Sequence, residues 1–270
     1  MIKLEGIFLW IGVAAYVFSI AAYLTGLIFK KDKVTRWGFW LISSGFILHT
    51  ASIVVRWFAT GHPPVLAGYE DSLLGSWFIV FLFFTIRIWL PRIELLGMAV
   101  IPFALFVLGN GIMTASAHQP LSPPYQSNWL WVHVIFAWFA YGAFSVATGI
   151  AILYLLKIHL ASKFLEKFPE PGVLDDLIFR FIFFGFIALT IEVGAGAIWA
   201  KGLWGRYWGW DPAETWSLIS WLTYGINLHL RTTLGWHGKK AAWLAIVSFA
   251  AIIIAFFGIG FVVGIHTQLL

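Results

Sequence analysis

The segment from Trp199 to Trp216 concentrates residue types that could bind a flat aromatic ligand. It reads WAKGLWGRYWGWDPAETW, and its eighteen residues hold five of the chain's seventeen tryptophans, interleaved with glycines. Glycine lets a backbone approach a flat object closely, and tryptophan supplies a broad apolar face with an N–H donor. The segment therefore predicts a platform for a planar macrocycle, made of Trp199, Trp204, Trp208, Trp210, Asp211 and Trp216. An interfacial aromatic belt is the alternative interpretation.

Two histidines occupy positions that suit an iron ligand. His133 lies one helical turn inside the outer end of a predicted membrane span, and His266 lies at the outer end of the last span. Both are thus expected at the depth of the Trp-rich segment. Two neutral imidazoles on opposite sides of a haem iron form a six-coordinate, low-spin site. Two hydrogen-bonded structural histidines are the alternative.

The composition identifies the class of protein that must position these residues. The chain has 270 residues, of which 61% are hydrophobic and 11% charged, whereas a soluble domain has about 25% charged residues. It has no cysteine, which excludes a disulfide scaffold and a CxxC redox protein. The net charge of +5 comes from basic residues scattered through loops, so nucleic acid is not an expected partner. The chain is predicted to be an integral protein of the lipid bilayer.

Eight apolar windows have the length of membrane-spanning helices, since a crossing takes about 20 residues. They run Gly6 to Phe29, Trp37 to Val55, Ser72 to Leu90, Leu95 to Ser116, Trp129 to Leu156, Phe181 to Ala200, Thr215 to Leu230 and Ala241 to Ile265. We therefore expect an all-α, polytopic membrane helix bundle of about eight transmembrane helices. It would form a single transmembrane domain over residues 1–270, with the Trp-rich segment 199–216 as an external loop.

The distribution of lysine and arginine predicts the orientation. With the N-terminus outside, thirteen of the seventeen basic residues fall on the inner side. The outer side keeps only Lys3, Arg56, Lys201 and Arg206. Both termini are accordingly expected to be external.

Three segments resemble a known family. WGRYWGWDPAETWSLISWLTYGINLHLR is similar to the WWD signature of the haem-handling membrane proteins of cytochrome c assembly, specifically the CcsA/ResC branch. RWFATGHPPVLAGYEDSLLGSW and GWHGKKAAWLA, the latter followed by a final span ending in GIH, resemble further stretches of that branch. Together these segments extend from about Arg56 to His266.

The resemblance implies roles for particular residues. His133 and His266 match the two external axial ligands of haem b, and His229 matches a histidine of an inner haem-entry site. The family places the partner for that inner site on a ResB/CcsB-type membrane subunit. Ala213 stands where many relatives have lysine, which leaves Arg56, Lys201 and Arg206 as candidate contacts of the haem propionates; ordinary interfacial charges are the alternative.

The function implied is delivery and attachment of haem, as a component of a cytochrome c synthetase complex. Haem would be presented outside to the CxxCH cysteines of apocytochrome c, which a thiol-reducing pathway keeps reduced. A haem exporter or chaperone of the CcmC type, and a channel or transporter that binds no haem, are the alternatives. The family occurs in bacterial cytoplasmic and thylakoid membranes, and we favour the bacterial membrane.

Overall fold

The structure of the chain, a computed structural model, describes residues 2–65, 68–89, 95–113, 121, 123–160 and 165–258. Within these ranges all regular structure is helical. The helices are α1 (Ile2–Ile28), α2 (Asp32–Thr60), α3 (Tyr69–Trp89), α4 (Gly97–Ile112), α5 (Asn128–His159), α6 (Pro171–Trp204), α7 (Pro212–Thr233) and α8 (Lys239–Ile253), with short 3₁₀ turns at Pro123–Tyr125 and Leu165–Lys167 and a π turn at Ile254–Gly258.

Six of the helices in the described part of the chain are long and apolar enough to cross a membrane. The other two are α4, an apolar helix of 16 residues, and α7, a helix of 22 residues whose buried face carries Ser220, Tyr224 and Asn227. The polar face of α7 lowers its mean hydropathy. The all-α, polytopic membrane architecture predicted from the sequence is confirmed.

Two helices differ in extent from the predicted spans. α6 begins at Pro171, ten residues before the predicted start at Phe181, and continues to Trp204. Proline suits the first helical position because its fixed φ matches the helix and its missing N–H has no partner there. α8 ends at Ile253 and passes into the π turn, and the remainder of the predicted span to Ile265 lies partly outside the described residues.

The chain forms two compact units. The first contains α1–α4 together with Glu166–Phe168, and the second contains α5–α8. In the first unit α1 packs along α2, and a Cβ atom at Gly12 would lie 3.2 Å from the carbonyl oxygen of Gly45. Such close approach of two helices needs small residues. The single transmembrane domain over residues 1–270 stays a prediction.

A buried charge cluster ties three helices of the first unit together. The Nε atom of Arg56 lies 2.6 Å from Glu70 Oε1, and its Nη1 atom lies 3.2 Å from Glu5 Oε1. The Tyr69 hydroxyl donates to the same Glu5 oxygen at 3.0 Å, and its ring lies below the guanidinium. All four side chains are buried. Buried charges need partners of this kind, because each ion loses its hydration.

His49, in the middle of α2, has a hydrogen-bonded environment. Its Nε2 atom lies 3.0 Å from the carbonyl oxygen of Leu73, and its Nδ1 atom lies 3.4 Å from the Tyr16 hydroxyl. Since both ring nitrogens have partners within the first unit, these contacts favour a structural role for this histidine.

The second unit is a bundle built around α5. Every residue from 142 to 151 of that helix is buried. α5 packs against α6 and α8, and α7 also packs against α6 and α8. The stacked rings of Phe144 and Tyr224, with centroids 3.5 Å apart, join α5 to α7. Four helices thus enclose the core of this unit.

Asp175 joins three helices at one end of the second unit. Its Oδ1 atom accepts from Arg231 Nη1 at 2.7 Å and from the Gly238 N–H at 2.9 Å. The Nδ1 atom of His237 lies 3.4 Å from Oδ2 of the same carboxylate. This cluster joins the N-terminal part of α6 to the last turn of α7 and the start of α8, at the end of the bundle opposite the α6–α7 connection.

Candidate functional site

The connection between α6 and α7 is shorter than the loop predicted over residues 199–216. α6 ends after Trp204, where Gly205 adopts a left-handed φ of 73° and donates to the carbonyl of Lys201 at 3.1 Å. α7 begins at Pro212, so that only residues 205–211 are non-helical. We call these residues the linker. Trp199 and Trp204 lie on α6, Trp216 lies on α7, and Trp208 and Trp210 lie in the linker.

A capping box fixes the start of α7. The Asp211 carboxylate accepts from the Ala213 N–H at 3.0 Å. The Glu214 Oε2 atom accepts from the N–H groups of Gly209 at 2.6 Å and Asp211 at 3.3 Å. These two amides flank Trp210, whose φ of 58° is unusual for a residue with a side chain,. Glu214 therefore holds the linker in a strained conformation that leaves Trp210 69% exposed,.

We expect Asp211→Ala to destabilise the start of α7 by about 1 kcal/mol, because the capping oxygen is lost. The measurement is the rate at which trypsin cleaves after Arg206 in the linker, which should rise. Asp211→Ser is the control, since serine retains a capping oxygen. Equal cleavage rates in the two variants would contradict a capping role.

A cavity of about 130 Å³ lies in the second unit beside the linker. Its wall includes residues of α5, α6, the linker and α7, among them His133, Glu192, Trp199, Trp208, Glu214 and Ser217. The cavity is smaller than the roughly 300–1,000 Å³ of a typical ligand pocket. It thus suits the edge of a flat molecule rather than the enclosure of a whole one.

The ring of His133 rests on one face of α6. Its Nδ1 atom lies 3.1 Å from the carbonyl oxygen of Glu192 and 3.3 Å from Glu192 Oε1. A Cβ atom at Gly196 would lie 2.8 Å from Nδ1, so only glycine leaves room for the ring. The ring of Trp199 is stacked beside it, at 6.2 Å between centroids and 29° between planes. Positions 192, 196 and 199 share a helix face because they are four and three residues apart.

We call Glu192, Gly196 and Trp199 the histidine seat. The seat occupies Nδ1 of His133, which leaves Nε2 as the ring nitrogen available to a ligand. The His133 side chain remains 28% exposed. The arrangement offers one oriented imidazole at the wall of a cavity that also contains two tryptophans.

The platform tryptophans form two ring pairs. Trp199 and Trp204 lie 6.2 Å apart between centroids at the end of α6. Trp208 and Trp210 lie 5.9 Å apart in the linker, with their planes nearly perpendicular. Trp199 and Trp208 line the cavity. Trp216 lies in the first part of α7 and is half-buried.

The three candidate propionate contacts lie in different environments. Lys201 donates to the carbonyl of Gly205 at 2.6 Å and lies 5.5 Å from the ring centroid of Tyr207. Arg206 packs over Gly209, where a Cβ atom would overlap its guanidinium group. Both are in the second unit. Arg56 belongs to the buried charge cluster of the first unit, and its two carboxylate partners favour a structural role over a propionate contact.

His229 lies far from His133 along the second unit. It is exposed near the end of α7, and its Nδ1 atom lies 3.3 Å from the Thr233 hydroxyl. The 17 residues between Pro212 and His229 correspond to about 25 Å of helix,. Ile219, Leu222 and Ile226 are exposed on the same face. His266, the second predicted axial ligand, lies outside the described residues.

Neither Glu192 nor Gly196 is among the candidate site residues predicted from the sequence. The structure brings both to His133. The signal for Glu192 was present in the sequence, because a carboxyl inside a membrane span needs a polar partner. Its partner could not be identified, since the two residues are 59 positions apart.

Comparison with known proteins agrees with this architecture. The family model described as "Cytochrome C assembly protein" matches residues 65–266. Proteins described as "Cytochrome c biogenesis protein CcsA" are similar along most of the chain. The Guillardia theta protein is 34% identical, with 92% of this chain and 91% of the relative covered. The Prochlorococcus marinus protein is 31% identical, with 84% and 82% covered.

A relative from Chlamydomonas reinhardtii is 35% identical, with 80% of this chain and 63% of the relative covered. Among solved structures, "Cytochrome c Heme Lyase CcmF" has a TM-score of 0.72 at 18% identity. That similarity, which is one of fold, covers 94% of this chain but only 46% of the CcmF chain. The chain therefore belongs to the cytochrome c assembly proteins, and within them to the CcsA family.

Proposed function

We propose that this chain binds haem b in the membrane, presents it at the external face and supports its covalent attachment to CxxCH motifs of apocytochrome c. The observation that carries the proposal is the position of His133 against α6: Nδ1 contacts Glu192, and the partly exposed ring lies at a cavity wall beside Trp199 and Trp208. A haem iron takes its axial ligand from one imidazole nitrogen. His266 would supply a second ligand.

The size of the cavity fits a substrate that must remain accessible. A cavity of about 130 Å³ would hold one edge of haem. The ring pair of Trp208 and Trp210 would then cover part of the haem surface outside the cavity. Lys201 and Arg206, at the end of α6 and in the linker, would bind the propionates. The vinyl groups would then face apocytochrome c.

The attachment step is the addition of two thiols to two vinyl groups. Each S–H bond breaks, a C–S bond forms at one vinyl carbon, and the hydrogen goes to the other vinyl carbon. The addition consumes no oxidant or reductant, but the thiols must be reduced, which requires a thiol-reducing pathway. The protein contributes orientation, since holding haem in a fixed position lowers the entropic barrier to the reaction.

Haem would enter near His229 and complete its inner site with a ResB/CcsB-type membrane subunit. The exposed position of His229, on a face of α7 with Ile219, Leu222 and Ile226, supports contact with another protein. We place the chain in a bacterial cytoplasmic membrane with both termini external. The thylakoid membrane is the alternative, because relatives come from Guillardia theta and Chlamydomonas reinhardtii as well as Prochlorococcus marinus.

The test is the reduced optical spectrum and pyridine haemochrome of the full chain purified with its ResB-type partner. We expect a low-spin haem b spectrum that weakens in His133→Gly and His266→Gly and returns with added imidazole. His159→Gly is the matched control for His133→Gly, because His159 is an exposed residue at the other end of α5. A colourless complex, or a spectrum unchanged in both variants, would contradict the proposal.

A second assay distinguishes attachment from export. The haem-loaded complex is given a reduced CxxCH peptide, and thioether formation is followed by mass spectrometry. Transfer of haem to a soluble carrier without thioether formation would instead support the CcmC-like exporter. The resemblance in fold to a protein named as a haem lyase supports attachment.

A further inference from the structure

Glu192 is a carboxyl group that the proposed attachment chemistry does not use. It lies within α6 and is only 3% exposed. An ionisable group within a membrane span is costly to bury and usually serves a function. In the described part of the chain, its Oε1 atom lies 3.3 Å from His133 Nδ1, and its Oε2 atom has no hydrogen-bond partner.

The chemistry of an axial histidine explains this contact. An imidazole that binds iron through Nε2 carries its proton on Nδ1, and that proton needs an acceptor. Both acceptors near Nδ1 belong to Glu192, namely the main-chain oxygen at 3.1 Å and the carboxyl oxygen at 3.3 Å. One residue thereby defines the tautomer and the orientation of the ring.

We propose that Glu192 is a positioning residue for His133, which fixes the Nδ1–H tautomer and tunes the reduction potential of the bound haem. The inference rests on the proposed function, because it assumes that His133 binds iron. A hydrogen bond from Nδ1–H makes the imidazole a stronger electron donor, and this stabilises the oxidised iron. With the carboxyl group as a second acceptor, the haem reduction potential would therefore be lower than with the main-chain oxygen as the single acceptor.

The carboxyl group can be tested separately from the main-chain oxygen. The main-chain oxygen remains in place whatever the side chain is, so substitutions at position 192 change only the carboxyl acceptor. Glu192→Gln keeps an acceptor oxygen, whereas Glu192→Leu removes it at similar volume. Asp176→Asn is the control, since it removes an exposed carboxylate from the same helix.

The experiment measures haem content and the midpoint potential of the full chain with its partner by spectroelectrochemistry. We expect Glu192→Leu to raise the midpoint potential and to lower haem affinity by about tenfold, as is typical when an outer-shell partner of a ligand is lost. Glu192→Gln should give an intermediate potential and near wild-type haem content. Wild-type potential and haem content in Glu192→Leu would overturn the proposal.

A combination with His133→Gly distinguishes positioning from a general effect on folding. In that background without imidazole, Glu192→Leu should cause no further loss of haem, because the ring it orients is absent. A further tenfold loss there would overturn the proposal and assign Glu192 a role in the fold. If His133→Gly alone leaves the spectrum unchanged, His133 is not the ligand, and the proposed function fails independently of Glu192.

Discussion

Gly196→Ala is expected to lower haem content by about tenfold or more while the chain remains folded. The added Cβ atom would lie 2.8 Å from His133 Nδ1 and 3.2 Å from its Cε1. Real Cβ atoms do not approach other atoms so closely, so the ring must move away from α6. It then loses the Glu192 acceptors and the orientation required of the proposed iron ligand. Haem content per folded chain, measured by pyridine haemochrome, checks this expectation.

Gly194→Ala is the matched control on the same helix. A Cβ atom at position 194 would have no heavy atom within 4 Å apart from its chain neighbours and the backbone of its own helix. Both substitutions gain helix propensity of about 1 kcal/mol relative to glycine, so any difference between them reports the contact with His133. Equal haem content in the two variants would contradict the seat that we describe.

The membrane architecture could be predicted from the sequence because it depends on a property of single segments. Long apolar windows give the positions of helices directly, and each of the eight predicted spans overlaps one helix. The ends were less predictable. α6 starts at Pro171, and its first turns include charged residues such as Asp175 and Arg180. These residues lower the hydropathy of the segment, so a hydropathy window does not include them, although a helix can continue through them outside the bilayer core.

The loop that was predicted over residues 199–216 shows the same limit. Its local signals were present, since glycine often ends a helix and Asp-Pro often begins one. Gly205 and Asp211-Pro212 do so here. The sequence thus predicts the start of α7 at Asp211-Pro212, and only the outer bounds of the loop differ, because they follow the tryptophans into α6 and α7.

Contacts between distant residues could not be predicted from one sequence. Placing His133 near the Trp-rich segment required only its depth in the membrane. Its contact with Glu192 depends on how α5 and α6 are rotated against each other, which a pattern of apolar residues on an almost wholly buried helix does not specify. Arg56 is a similar case, because its partner Glu5 is 51 residues away.

Arg56→Met is expected to destabilise the first unit by about 3–5 kcal/mol, the range found when one member of a buried ion pair is removed. Methionine fills a similar volume but removes the guanidinium that pairs with the buried carboxyl groups of Glu5 and Glu70, which are 4% and 2% exposed. Thermal unfolding of the purified chain in mild detergent measures the loss. Limited proteolysis then shows whether cleavage begins in α1–α4.

Arg36→Met is the control, because Arg36 is an exposed arginine on the same helix. Combining Arg56→Met with Glu5→Gln and Glu70→Gln should recover part of the stability, since no buried charge is then left unpaired. A variant Arg56→Met as stable as Arg36→Met but depleted of haem would contradict the structural role. It would support the propionate contact that the sequence predicted, because a cation that binds haem affects haem affinity and not the packing of the first unit.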